Sequence, residues 1–77
     1  MKGGGSKVKS KFIVEYWKRA EGDSVTLRAE VIGRENYLTF EPNSLESMPE
    51  FILQEIACME ELPLDSIEIE FREVSKV

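Results

Sequence analysis

The 77-residue sequence contains no histidine and one cysteine, which removes most of the side-chain chemistry that a small enzyme uses. Histidine is the commonest general base, the usual proton shuttle and the commonest transition-metal ligand. Without it, neither a Ser/His nor a Cys/His nucleophile pair can be assembled, and the familiar zinc sets lack their ligands. Carboxylates, lysines and a single thiol remain. Glu60, Glu61, Asp65, Glu68, Glu70 and Glu73 lie close together in sequence. Their spacing fits no calcium loop, and Glu-x-Glu on an extended segment is how a solvated sheet face ordinarily looks. Cys58 falls toward the end of a helical stretch and is followed by Glu60 and Glu61, a setting that disfavours a thiolate. It reads as a small packing residue. Gly3-Gly4-Gly5-Ser6-Lys7 lacks the Gly-Lys-[Ser/Thr] order of a phosphate loop and leads into a strand rather than a helix. These residues point to a non-enzymatic chain with no cofactor and no metal.

Binding is the chemistry left to weigh. Lys7, Lys9, Lys11, Lys18 and Arg19 surround Trp17, and basic residues interleaved with an aromatic can follow phosphates and stack bases. Charge argues the other way. Residues 1–40 carry eight Lys/Arg against five acids, whereas residues 41–77 carry ten acids against Arg72 and Lys76, for a net charge of −5. Such an imbalance bears on association and solubility rather than on fold.

The elements that position these residues follow from periodicity. The leader MKGGGS holds three consecutive glycines and reads as flexible over 1–7, with one domain over 8–77. From Val8, apolar residues alternate: Val8, Phe12, Val14 and Tyr16 on one side, with Lys9, Lys11, Ile13, Glu15, Trp17 and Arg19 on the other. Period two with β-branched and aromatic residues is a strand. Glu21-Gly22-Asp23 supplies a turn, and Val25, Leu27, Ala29 and Val31 then alternate with Thr26, Arg28, Glu30 and Ile32, which completes an antiparallel hairpin. A short third strand is expected at 37–41, stopped by Pro42.

Ser47 with Glu50 three residues on reads as a capping box, with Pro49 in the first turn. Met48, Ile52, Ile56 and Met59, widened by Phe51 and Leu62, form a helical stripe that ends before Pro63. Ile67, Ile69 and Phe71 alternate with Glu68, Glu70 and Arg72 in a last strand, and Val74 falls out of phase. The expected fold class is α+β: a two-layer sandwich in which one helix covers one face of an antiparallel three- to four-stranded sheet, in the order β-β-β-α-β. In build it resembles small phage- or plasmid-encoded inhibitors and antitoxin-type modules, a likeness that transfers no residues.

One helix on a sheet leaves the other face open, and Ile13, Trp17 and Ile32 fall on it. An apolar cluster there marks a contact surface, unless Trp17 folds over the edge or the register differs. The sequence thus predicts a regulator- or inhibitor-type module that docks on another protein through Ile13, Trp17 and Ile32, rimmed by Lys11, Glu15, Arg28, Glu68 and Glu70. A homodimer through the same face is a variant of this reading. The alternatives are an acidic decoy that mimics nucleic acid, and direct nucleic-acid binding by the basic first strand. An unpaired thiol, the absence of a run long enough to span a bilayer and the lack of a signal-type stretch predict a cytoplasmic protein without membrane contact.

Overall fold

A computed structural model describes residues 9–75; the expected leader, Val8 and the last two residues lie outside the described residues. Strand β1 spans Ser10–Glu21, β2 Ser24–Val31, helix α1 Met48–Glu60 and β3 Ile67–Glu73, with a single 3₁₀ turn at Leu64–Ser66. The chain is the α+β sandwich that its alternation implies, with the strands ordered β2-β1-β3.

The hairpin closes with Glu21 opposite Ser24, so the loop is the dipeptide Gly22-Asp23. Gly22 adopts φ +61°, which glycine alone takes without strain at the first position of such a loop. β1 then runs antiparallel to β2, with Val14 opposite Val31. It runs parallel to β3, with Phe12 opposite Ile69 and Val14 opposite Phe71. The sheet is therefore mixed, where an antiparallel one was expected. The cause is the parity of chain traverses: β2 returns along β1, residues 37–46 go back along β2, α1 returns across the sheet, and β3 begins at the end where β1 began.

The expected third strand at 37–41 shrinks to one bridge. Ala29 and Phe40 exchange backbone hydrogen bonds of 3.0 and 2.8 Å, and the pairing goes no further. Pro42 has no N–H to extend a ladder, and it is buried.

Phe12, Val14, Ala29 and Val31 from the sheet meet Met48, Ile52 and Ile56 from α1, and Ile67 completes the buried set. Val14, Ile52 and Ile56 are wholly enclosed. Leu53 and Ala57 widen the contact stripe, whereas Phe51 and Met59, expected on it, are 38% and 49% exposed. A stripe repeating every four residues drifts around the helix, and Met59 falls outside it. Cys58 is exposed, so it is not the packing residue the sequence suggested. Val25 is on the inward phase but 65% exposed, because it sits near the hairpin tip, where helix cover runs out.

Both ends of α1 depart from expectation. Ser47 is the N-cap, yet its side chain makes no cap bond. Its Oγ pairs instead with Ser44 Oγ at 3.0 Å and donates to the Ser44 carbonyl at 3.3 Å, so no capping box forms. Pro49 does sit in the first turn. At the other end Glu61 takes the left-handed conformation, φ 55°, and Leu62 N–H bonds the Ala57 carbonyl at 3.1 Å. That is the geometry of a glycine C-cap built with a glutamate.

The 33–40 segment seals one end of the core. Arg34 lies 4.5 Å over the Phe12 ring, a cation–π contact, and Tyr37 packs edge-on to Phe40. Tyr37 Oη donates to Glu60 Oε2 at 2.6 Å. Burial, then the bond to Glu60 and its negative charge, raise the Tyr37 phenol to about 12.

Candidate functional site

Alternation along β1 sends Phe12, Val14 and Tyr16 toward α1 and Lys11, Ile13, Glu15 and Trp17 away from it. The register then decides their neighbours. Ile32 N–H donates to the Ile13 carbonyl at 2.8 Å, which sets the two isoleucines side by side, and Glu70 flanks Ile13 from β3. Glu15 lies opposite Glu30 on one side and Arg72 on the other. Trp17 faces Arg28, and Lys11 faces Glu68. The eight residues expected at the site thus project from a single sheet face, and among the described residues no helix or strand covers it.

The apolar residues on this face are not one continuous patch. Ile13 and Ile32 form a pair, Trp17 stands four residues further along β1, and the row Glu30, Glu15, Arg72 runs between them. Ile13 and Trp17 are half-buried by their neighbours, while Ile32 is exposed. Trp17 is therefore neither core nor fully in solvent.

Most rim charges already have partners. Arg28, four-fifths buried, holds Glu21 at 2.9 Å and reaches Glu41 at 3.5 Å. Glu41 lies beside Arg28 because the Ala29–Phe40 bridge places it there. The bond from Arg28, reinforced by the Arg28 and Arg19 charges, holds the Glu21 carboxyl below its usual range. Glu70 receives Arg72 at 2.5 Å and Lys11 at 3.4 Å, and these bonds lower its carboxyl likewise. Such pairs near solvent add little to stability, but they fix the side chains in place. Neither Glu15 nor Glu68 makes an ion pair or side-chain hydrogen bond among the described residues. Glu15 is half-buried between a like charge, Glu30 on β2, and an opposite one, Arg72 on β3.

Sequence reading placed Glu30 and Arg72 on this face without assigning them to the site, and it missed Glu21 and Glu41. Glu30 and Arg72 were legible from their phase alone. Glu41 was not, since only the bridge at Phe40 reveals it. Among the described residues no cluster of three or more His, Cys, Asp or Glu could hold a metal ion, and no helix is long and apolar enough to cross a membrane.

The fold and the face define a small α+β domain with one covered and one uncovered sheet surface. No family model matches the chain, and neither a curated protein nor a solved structure matches it.

Proposed function

We propose that this chain is a non-enzymatic, regulator- or inhibitor-type module that docks on another protein through the uncovered face of its sheet. The observation that carries the reading is the juxtaposition of Ile13, Ile32 and Trp17 with the half-buried carboxylate of Glu15, which among the described residues makes no ion pair or side-chain hydrogen bond, on a face that no described helix or strand covers. Apolar anchors around an enclosed charge are the makings of an interface centre, where aromatic and aliphatic groups supply the energy and the charge sets orientation. The partner surface that fits is apolar with one basic side chain, aimed at Glu15 between its two flanking anchors. The prearranged ions of Arg28, Glu21 and Glu70 form a rim that needs little reordering on docking.

Ion pairs also weigh against an acidic decoy. Of the acids such a decoy would present, Glu70 is paired with Arg72 and Lys11 and Glu60 with Arg34, and the open sheet face carries mixed rather than uniform charge. One exposed thiol, Cys58, accords with a cytoplasmic setting.

Affinity capture from lysate tests the proposal with three baits: wild type, Ile32→Lys on the open face, and Gln54→Lys on the exposed side of α1. The expected result is a protein retained by wild type and Gln54→Lys and lost with Ile32→Lys, with all three baits equally folded by circular dichroism. A captured protein indifferent to Ile32→Lys contradicts docking through this face.

A further inference from the structure

The two edges of the sheet are finished differently. The outer edge of β2 is occupied at Ala29 by Phe40. Among the described residues nothing pairs with the outer edge of β3. Val74 N–H bonds the Tyr16 carbonyl, so even-numbered residues of β3 turn their backbone groups toward β1. Ile67, Ile69, Phe71 and Glu73 therefore turn theirs outward. No proline, bulge or lysine interrupts Ile67–Glu73, and the one charge on its inward phase, Glu73, stands at the end of the strand. Beside it, Pro49, Glu50 and Leu53 of α1 with Ile67, Ile69 and Phe71 line an open, mostly apolar groove of about 240 Å³. The core thus reaches the edge without being closed there.

We infer that this edge is completed by β3 of a second copy, antiparallel and centred on Phe71, to give a continuous six-stranded sheet. Charge selects the occupant and the register. Any pairing that keeps the inward side chains in phase sets the outward residues Glu68, Glu70 and Arg72 against outward residues of the copy. Centring on Ile69 opposes Glu68 to Glu70 twice, and centring on Glu70 opposes that residue to itself even though it also sets Glu68 against Arg72. Centring on Phe71 opposes Glu70 to Arg72 twice, with no like pair, and it joins Phe71 to Phe71 over the groove. Cross-strand pairs of opposite charge favour a register, and like charges directly opposite disfavour it. The outward backbone groups of Ile69, Phe71 and Glu73 meet in this arrangement, as antiparallel pairing requires. The two-fold axis leaves both helices on one side and both Trp17 faces on the other. The edge shares Glu70 and Arg72 with the rim of the docking face, so the two proposals are told apart by Glu73→Pro, which touches only the edge, and Ile32→Lys, which touches only the face.

Sedimentation equilibrium of the full chain is the test, on wild type, Glu73→Pro, Arg72→Glu, the exchange Glu70→Arg/Arg72→Glu and Ile32→Lys. Proline at 73 removes an outward N–H at an edge position without touching the β1 ladder. The expected result is a wild-type dimer that Glu73→Pro abolishes and Arg72→Glu weakens about tenfold, while the exchange recovers most of the loss. A monomer at every concentration overturns the inference. So does a dimer indifferent to Glu73→Pro but lost with Ile32→Lys, which places the contact on the open face instead. An exchange variant as weak as Arg72→Glu, with unchanged circular dichroism, overturns the Phe71-centred register.

Discussion

The two faces of this sheet come from the same three strands and the same alternation, yet they are put to opposite uses. Facing α1, the side chains are apolar in unbroken phase, from Phe12 and Val14 through Ala29 and Val31 to Ile67. On the other side every apolar residue has charged neighbours: Ile13 beside Glu70, Glu15 between Ile13 and Trp17, Trp17 opposite Arg28. The covered face gains from removing continuous apolar area from water, and its cost of error is a cavity. The open face removes less apolar area from water, since Ile13 and Trp17 are half-buried and Ile32 is exposed.

The contrast breaks most sharply at Ile52, which is wholly enclosed between sheet and helix. Ile52→Ala should cost about 3–4 kcal/mol in urea denaturation, a large share of what a domain this size possesses. A loss under about 1 kcal/mol would mean that the helix is not the lid of the core. Tyr37→Phe comes next. It removes the bond to Glu60 at the sealed end and should cost about 1 kcal/mol at neutral pH. The phenol is raised in the folded chain, so its contribution is fully present below the ordinary value of 10.0 and lost as pH climbs through about 12. Tyr37→Phe should accordingly lose less stability than wild type between pH 10 and 12.

Glu61→Gly should act in the other direction. Glutamate at φ 55° carries a left-handed penalty that glycine escapes, so the variant should gain about 1 kcal/mol in the same denaturation assay. The smallest effect belongs to the open face. Glu21 and Glu70 are both lowered by their bonds to arginine and lysine. Their contribution is present above the ordinary carboxylate value of 4.5 and lost as pH falls through the lowered ones. Arg72→Ala should leave neutral stability nearly unchanged and flatten the acid limb slightly.

How far the sequence reveals this arrangement depends on which physics sets each element. The strand phases were legible because burial on one face writes period two directly into residues 12–16, 25–31 and 67–71. All eight expected face residues follow from that phase. The orientation of β3 was not legible from any local pattern, since parallel and antiparallel edge strands alternate alike, and only counting traverses decides it. The capping box failed because Ser47 had a competing partner in Ser44, three residues upstream. The strand at 37–41 was over-read because Tyr37 and Phe40 suit a strand, yet they serve here as plugs against Glu60 and Phe51. The ion clasp on Arg28 joins residues from three segments, which no window of sequence contains.

The division of labour between the faces is tested most directly by urea denaturation of Trp17→Ala and Ile52→Ala side by side, followed by far-ultraviolet circular dichroism. Half-buried Trp17 on a contact face should cost no more than about 1.5 kcal/mol when truncated, well short of the Ile52 loss. Equal losses, or a Trp17→Ala chain that fails to fold, would show that the open face is core and contradict the account.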